Sequence, residues 1–302
     1  MTSLRRQDPR LNCFKADYAL ITRIATNIDS SSSYPYVQQN SKIDVPRARE
    51  EQEEFIDVLR RIAIDVIELP CDERHPDGLF IGDCAVVING TALICNPPSE
   101  DGAPPRQGEL TVVRQVLKKE LGLKIVEVDS EKGKAVVCGT DVLWTGREIF
   151  VGIGKRTNIL GAQSVAKAFP EYSTSIVNVR EPYLHLKDCV SLCGPEILAI
   201  AKSNAAKEML REMRKAGHGY KMIEVEEDLA ANTIYCNNTV IHLSSDTIPR
   251  SIGLFKDKLD FQCVPVEIKE PLKRGAGLSN IVLLVNKQKH LRSIMTTATS
   301  AQ

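Results

Sequence analysis

The sequence predicts an α/β propeller with five blades. One type of apolar strand occurs five times, two strands joined by a tight turn follow each occurrence, and amphipathic helical segments separate the repeats. A unit of roughly 40 to 60 residues that cannot bury its own apolar face must pack against its neighbours. A ring of five radial sheets with helices outside meets that need. A doubly wound sheet fits less well, because hairpins rather than single parallel strands separate the helices.

The strands follow one order along the chain. The recurring strand is AIDVIEL at 63–69, LKIVEV at 123–128, STSIVNV at 173–179, YKMIEV at 220–225 and FQCVPV at 261–266. The strand pairs are LFIGDCAVV-INGT-ALIC, DVLWTG-REIFVGI, KDCVSLC-GPEILAIA, NTIYCNN-TVIHLSS and the closing GLSNIVLLVN. The closing segment lacks a full partner, which the early strand DYALITRI at 17–24 supplies if it closes the ring. Each predicted unit is therefore a strand, a hairpin and a helix.

The helices and the domain limits follow from the same pattern. Helices are predicted at 44–63, 107–121, 157–168, 203–216 and about 246–258, the first with Asp44 as its cap and Pro46 in its first turn. We expect one domain over 16–290, with disordered tails at 1–15 and 291–302. The polar loop NIDSSSSYPYVQQN at 27–40 is either a solvated connection or a lid.

The composition excludes several classes of protein. The 39 basic and 39 acidic residues cancel, which gives no electrostatic footprint for nucleic acid or an anionic membrane. No apolar run approaches the ~20 residues of a membrane helix. The start lacks the apolar core of a secretory signal, and nine cysteines, an odd number, fit reduced thiols in the cytosol. We expect a cytoplasmic protein, either a monomer or a homodimer.

Side chains at the inner ends of propeller strands converge on one axial cavity, so each unit contributes site candidates. These candidates are Asp77, Asp83, Cys138, Asp141, Arg156, His185, Asn232, Ser279 and Asn280. Carboxylates bind a guanidinium in a planar, bidentate way, and an arginine binds an α-carboxylate. The set therefore suits a zwitterionic ligand that carries a guanidinium. Taken singly, each aspartate could be a turn or cap residue, and His185, between two leucines, a core histidine.

Several runs resemble the dimethylarginine dimethylaminohydrolase family of the amidinotransferase, or pentein, superfamily. They are PDGLFIGDCAVV, GTALIC, GTDVLWTGREIFVGIGKRTN, GAQSVAKAF, LHLKD and GAGLSNIVLLVNK, and the resemblance spans about residues 16–288. It implies a five-bladed α/β propeller that hydrolyses ω-methylated arginines to citrulline and methylamines, a reaction that regulates nitric oxide synthesis. It also implies that no cofactor or metal is needed: a cysteine thiolate attacks the guanidinium carbon, a histidine is general acid and base, and carboxylates hold the guanidinium.

The resemblance assigns roles to four residues that match the family. Asp77 and Asp83 fall on the aspartates that bind the guanidinium. Arg156 falls on an arginine that binds the amino-acid end of the substrate. His185 falls on the general acid and base.

Four other positions depart from the family. Gly82 stands where the resemblance places a glutamate, Asn96 where it places a second substrate-binding arginine, and Cys138 where it places the catalytic acid. Asn280 stands in place of the nucleophilic cysteine. An amide nitrogen is not a nucleophile at neutral pH, because its lone pair is delocalised, whereas a thiolate is available and polarisable. Ser279 is next to Asn280 but is expected to point to the opposite face of a strand.

Three functional hypotheses follow. The first is a catalytically impaired member of the family that binds an arginine-like ligand weakly or binds a protein partner. The second is an active methylarginine hydrolase that uses a relocated thiol, Cys138 or Cys84. The third is a metal site built from Cys138, His185 and Asp83, which are suitable ligand types.

Overall fold

Five sheets of three strands each form in the described part of the chain, which in the computed structural model comprises residues 13–28, 42–98, 106–128, 134–275 and 277–287. In every sheet the middle strand pairs antiparallel with one neighbour and parallel with the other. We call the antiparallel neighbour the inner strand and the parallel neighbour the outer strand. The predicted five-bladed α/β propeller is confirmed.

The bounds of the strands are as follows. The middle strands are β1 (Tyr18–Thr22), β4 (Thr91–Ile94), β7 (Glu148–Ile153), β10 (Ile197–Ala201) and β13 (Thr239–Leu243). The outer strands are β2 (Asp65–Leu69), β5 (Lys124–Glu127), β8 (Ser173–Asn178), β11 (Lys221–Val225) and β14 (Gln262–Val266). The inner strands are β3 (Ala85–Ile88), β6 (Val142–Trp144), β9 (Val190–Gly194), β12 (Ile234–Cys236) and β15 (Leu283–Val285).

Helices connect each middle strand to the outer strand of the same sheet. They are α1 (Val45–Arg61), α2 (Gln107–Gln115, continued by a π-helical turn at Val116–Glu120), α3 (Ile159–Ala168), α4 (Asn204–Met213) and α5 (Ile252–Lys258). A sixth short helix, α6 (Lys269–Leu272), leads to the last inner strand. The predicted cap is confirmed, since the Asp44 carboxylate accepts a hydrogen bond from the Arg47 backbone N–H at 3.1 Å.

The predicted order within each unit is wrong in one respect. The recurring strand does not open a unit; it completes the preceding one by a parallel pairing across the helix, as β4 pairs with β5. A parallel strand needs a long crossover connection, and the helix supplies it. The predicted closure by the early strand is confirmed, because Tyr18, Ala19 and Leu20 pair antiparallel with Val285, Leu284 and Leu283.

Tight turns join the inner and middle strands, and their residues suit the backbone they adopt. Asn89 and Gly90 have φ of 48° and 74° between β3 and β4, and Asn237 and Asn238 have φ of 48° and 59° between β12 and β13. Asparagine and glycine tolerate positive φ, which two-residue hairpin turns of this hand require. The chain therefore reverses at these hairpins without strain from a bulky side chain.

The limits of the fold bear on two expectations. Phe14 falls within the tail predicted at 1–15, yet it is buried and its ring lies 5.6 Å from Trp144 and 5.4 Å from Tyr235. Residues 29–40 of the polar loop, for which a solvated connection and a lid were the two alternatives, lie outside the described residues. All nine cysteines are free thiols. No helix in the described ranges has both the length and the apolar character to cross a membrane.

Candidate active site

Short turns precede all five inner strands and gather at one end of the ring. They are the one-turn 3₁₀ helices Ile81–Asp83, Gly139–Asp141, Leu186–Asp188 and Asp228–Ala231, and the turn at 278–280. Successive 3₁₀ turns contact one another around the axis. The side chains on and beside these turns therefore form one site, which is built from all five sheets.

Asp83 is held from two sides. Its Oδ1 accepts a hydrogen bond of 2.7 Å from the Thr140 hydroxyl, and its Oδ2 lies 3.3 Å from Arg106 Nη1. Arg106 also donates to the Phe80 carbonyl at 3.0 Å and pairs with Glu109 at 2.9 Å. A hydroxyl and a guanidinium together fix the orientation of the carboxylate and compensate part of its charge.

The Cys84 thiol lies on the arginine side of Asp83. Arg106 Nη2 is 3.4 Å from Cys84 Sγ, but burial still raises the pKa of this thiol to about 12. A thiol with that pKa is not a thiolate at neutral pH. Cys84 therefore carries little nucleophilic character.

His185 is supported by two carboxylates. Its Nδ1 lies 3.3 Å from Asp141 Oδ1, and its backbone N–H donates to Asp188 at 2.8 Å. Asp141 is fixed in turn, because Oδ1 accepts from the Leu186 backbone N–H at 3.0 Å and Oδ2 accepts from the Thr157 hydroxyl at 2.6 Å. The Asp141 carboxylate thus lies within ion-pair distance of the ring on the side of Nδ1, where it can pair with a protonated imidazole.

Cys138 lies between Asp83 and His185. Burial raises the pKa of its thiol, Asp83 raises it further, and the nearby His185 lowers it. Its Sγ is 3.2 Å from the Thr140 hydroxyl, which itself bonds to Asp83. The position that the resemblance gives to an acid is thus filled by a buried thiol in contact with the imidazole.

Asp83, Cys138 and His185 form the three-residue cluster that was hypothesised as a metal site. All three are buried, and one ligand atom from each lies within 4.8 Å of the other two. Thiolate, imidazole and carboxylate are the ligands that Zn²⁺ takes, although tetrahedral coordination would bring them to about 3.5 Å from one another. Asp83 is already bonded to Thr140 and Arg106, so coordination would require it to move toward the other two.

Asn280 lies in the turn before β15 and is completely buried. Its Oδ1 accepts from the Gly277 backbone N–H at 2.9 Å, and its backbone N–H donates to the Gly277 carbonyl at 3.0 Å. Its Nδ2 has no hydrogen-bond partner among the described residues. The side chain thus closes its own turn with one half of the amide and leaves the other half unsatisfied.

Ser279 and Asn280 precede β15 rather than belong to it, so the expectation that they alternate across a strand is wrong. The Ser279 hydroxyl accepts from Asn232 Nδ2 at 3.0 Å, and its backbone N–H donates to Asn232 Oδ1 at 2.9 Å. Ser279 therefore pairs with a turn of the neighbouring sheet, and no histidine of the described residues bonds to it to act as its base.

Gly82 packs backbone to backbone against the same turn. Its N–H donates to the Asn280 carbonyl at 2.8 Å, and a Cβ at position 82 would lie 2.1 Å from the Ser279 carbonyl oxygen. Gly139 is equally confined, since a Cβ there would lie 2.2 Å from the Gly82 carbonyl oxygen. Glycine is required at both positions because no side chain fits between the turns.

The remaining predicted residues lie further from the cluster of Asp83, Cys138 and His185. Asp77 Oδ1 is 2.9 Å from Arg274 Nη2, so the chain itself supplies a guanidinium to this carboxylate. Arg156 Nη1 donates to the Pro98 carbonyl at 3.2 Å. Asn96 is bound to the backbone of its neighbouring segment: Nδ2 donates to the carbonyl of residue 135 at 2.6 Å, and Oδ1 accepts from the N–H of residue 137 at 3.0 Å.

The fold is a five-bladed α/β propeller with its candidate site at the turns that precede the inner strands. The family model for N,N dimethylarginine dimethylhydrolase, eukaryotic, matches residues 19–255. The human protein DDAH2 is 35% identical over 257 residues, which cover 82% of this chain and 87% of that protein. The chain belongs to this family.

More distant relatives support the same assignment. N(G),N(G)-dimethylarginine dimethylaminohydrolase of Pseudomonas aeruginosa is 26% identical over 244 residues, which cover 79% of this chain and 88% of the bacterial protein. A solved structure of the Pseudomonas enzyme, a mutant complexed with citrulline, superposes with a TM-score of 0.75 over 90% of this chain and all of that one, at 24% identity. The N-terminal domain of ArgZ, a cyanobacterial arginine dihydrolase, has a TM-score of 0.71 at 19% identity, covering 90% and 98% of the two chains. These superpositions agree with the fold.

Most residues of the site are predicted from the sequence, but the groups that hold them in place are not. Arg106 and Arg274 were not among the candidates, because they lie 23 and 197 residues from the aspartates they bind. For Arg106 the sequence does contain a signal, because Arg106 and Glu109 are three residues apart, a spacing that brings two side chains together on a helix. Thr140 and Thr157 carry no signal of their own; their roles appear only when the turns meet.

Proposed function

We propose that this protein is a catalytically impaired member of the family, which acts by binding an arginine-like ligand or a protein partner. The observation that carries the proposal is Asn280, whose amide occupies the place that the resemblance gives to the nucleophilic thiolate. A delocalised amide nitrogen cannot form the covalent intermediate. Removal of a nucleophile in well-studied hydrolases lowers turnover by roughly 10⁶-fold.

The surrounding groups support the same proposal. Cys138 stands where the resemblance places an acid, and burial raises the pKa of its thiol, so it adds no negative charge beside His185 at neutral pH. Gly82 offers no carboxylate, and the 2.1 Å distance from a Cβ to the Ser279 carbonyl leaves no room for one. Neither position therefore supplies the carboxylate that the resemblance gives to it.

The charge around the aspartates supports weak ligand binding. Asp83 is paired with Arg106 and Asp77 with Arg274, so both carboxylates that would bind a substrate guanidinium already interact with one from the chain. An incoming arginine must compete with Arg274 for Asp77, and it gains less from Asp83 because Arg106 offsets the charge.

Citrulline release from dimethylarginine by the purified protein tests the enzymatic half of the proposal. We expect no release above that of an Asn280→Ala control. Calorimetry with arginine, dimethylarginine and citrulline tests the binding half, and we expect weak heats that Asp83→Asn reduces. Robust turnover would contradict the impairment, and the absence of heat or thermal shift with all three ligands would remove the small-molecule function and leave a protein partner.

One observation favours a second candidate, an active methylarginine hydrolase that uses Cys138 as a relocated thiol. Cys138 contacts His185, and His185 is oriented by Asp141, which is the order of a nucleophile, a base and an orienting carboxylate. Turnover abolished by Cys138→Ser, but unchanged by Cys84→Ser, would establish it. The misplacement of a nucleophile by about 1 Å can cost ~100-fold, so a relocated thiol would work at a reduced rate.

A further inference from the structure

A channel that is partly open to solvent runs along the axis of the ring, and Asp83, Cys138 and His185 are not among its lining residues. It has a volume of about 190 Å³ and is lined by all five inner strands. Eleven of its 20 lining residues are aliphatic, and Ser191 and Thr233, whose hydroxyls bond to each other, add a polar stretch. For comparison, an apolar cavity of ~150 Å³ accepts a benzene molecule.

One end of the channel carries an ammonium group whose hydrogen-bonding capacity is mostly unused. Lys187 lines the channel, and its Nζ donates to the Gly139 carbonyl at 3.3 Å. An ammonium has three donors, and no carboxylate of the described residues lies within ion-pair distance of this one. Burial lowers its pKa, while Cys138 and Asp141 raise it. Lys187 is half-buried, so its charge is only partly solvated and an anion in the channel would stabilise it.

The neighbouring carboxylates are committed elsewhere. Asp83 accepts from Thr140 and pairs with Arg106, and Asp141 accepts from Thr157 and Leu186. They are close enough to influence the ammonium but do not bond to it. Lys187 is therefore available to a ligand in the channel.

A second donor lines the same end. Ser279 lines the channel, and its hydroxyl oxygen accepts from Asn232, which leaves its own proton to donate. Two N–H groups of Lys187 and one O–H of Ser279 form a set that matches the acceptors of a single carboxylate.

The other end of the channel is aromatic. The ring of Phe14 lies against Trp144 and Tyr235, and all three line the channel. Trp144 is the single tryptophan of the chain. The channel thus has a cationic end, an apolar body and an aromatic end.

We propose that this channel binds a small organic monocarboxylate. Its carboxylate would accept hydrogen bonds from Lys187 and Ser279, and its apolar body would lie among the inner strands toward Phe14. The volume suits a benzene-sized body, as in benzoate, or a short chain, as in hexanoate. Binding a single carboxylate compensates the ammonium charge, and the apolar body replaces water along an aliphatic wall.

Titration calorimetry with sodium benzoate and sodium hexanoate at neutral pH tests the proposal, with benzyl alcohol and 1-hexanol as uncharged counterparts. We expect saturable binding of the carboxylates at least about 10-fold tighter than that of the alcohols. The emission of Trp144 should change in parallel, which places the ligand in the channel. No binding, or equal binding of acids and alcohols, overturns the proposal.

Two variants and a control separate the channel from the rest of the protein. Lys187→Met should weaken carboxylate binding at least about 10-fold, and Ser279→Ala by a few-fold; either loss, in a variant with an unchanged far-UV spectrum, supports the site. Lys155→Met removes an exposed ammonium and should leave binding unchanged. Carboxylate binding that survives both channel variants contradicts the proposal. Arginine should not displace the carboxylate, so this outcome is independent of the proposed function.

Discussion

The turn that carries His185 and the turn that carries Asn280 enter the same end of the ring, but they differ in what their side chains can do. His185 has a carboxylate on its ring nitrogen and another on its backbone N–H. Asn280 has an equally well-defined backbone, bonded to Gly82 and Gly277, yet its side chain can only accept and donate hydrogen bonds. The comparison teaches that the fold positions a residue independently of the chemistry that this residue brings.

The largest expected effect comes from giving the second turn the chemistry of a nucleophile. Asn280→Cys combined with Cys138→Asp puts a thiol at the position that the resemblance gives to the nucleophile, and a carboxylate beside His185 to charge the imidazole. We expect citrulline release from dimethylarginine to rise about 1,000-fold over the unmodified protein, which is about 4 kcal/mol of barrier. Release is measured by the colour reaction of citrulline.

Asn280→Ser with Cys138→Asp is the matched control. A serine hydroxyl is similar in size to a cysteine thiol, but its pKa is too high for it to ionise at neutral pH. A folded cysteine variant that releases no more citrulline than this control would show that the positions of the two turns do not suit the chemistry. The missing carboxylate at position 82 limits recovery even in the favourable case.

The contact between the two regions is the next test. Gly82→Ala puts a Cβ 2.1 Å from the Ser279 carbonyl oxygen, so the sheet of β3, β4 and β5 must move away from the sheet of β1, β2 and β15. We expect a loss of about 3 kcal/mol in the free energy of unfolding, the upper part of the range for overpacking. Gly253→Ala is the control: a Cβ there meets nothing within 4 Å, and it lies in helix α5, where alanine is favoured by up to about 1 kcal/mol. Urea unfolding measures the stability of both variants. If Gly82→Ala is as stable as Gly253→Ala, the two turns do not pack as closely as described.

A smaller effect concerns Lys187, which follows His185 by two residues. Burial lowers its pKa below the value of 10.5 that it has when unfolded, so the unfolded chain binds the proton more tightly. The destabilising contribution is full below the folded pKa and fades as the pH rises toward 10.5. We expect Lys187→Met to be more stable than the unmodified protein by about 1 kcal/mol at pH 7, with a difference that narrows as the pH is raised. If the difference in unfolding free energy between the two proteins widens as the pH rises, the prediction is wrong.

The smallest effect concerns Arg274, on the segment that leads to Asn280. Arg274→Ala removes this guanidinium from Asp77, and we expect arginine to bind about threefold more tightly, since the ligand no longer competes with Arg274 for the carboxylate. Calorimetry measures the affinity, and Arg250→Ala, whose guanidinium lies on the surface with Glu227, is the control. An unchanged affinity would show that Asp77 does not take part in binding.

The sequence predicts the ring, because its repeat, its helical periodicity and its tight turns are local properties. It does not predict which hairpin each recurring strand joins, since a parallel partner lies across a helix and leaves no local trace. Residues 79–83 were predicted as part of a strand from their apolar letters, but they form two 3₁₀ turns bonded to neighbouring turns. The cluster of Asp83, Cys138 and His185 was predicted from the same place in each unit, whereas the arginine and threonine partners depend on contacts between units.

The pairing of β1 with β15 has a consequence for biosynthesis. Tyr18 leaves the ribosome more than two hundred residues before Val285, so β1 waits with only its parallel neighbour until residues 283–285 have been made. The hydrogen bond from Gly82 to Asn280 waits for the same event. The candidate active site is therefore one of the last parts of the protein to take shape during translation, after four of the five sheets can already have folded.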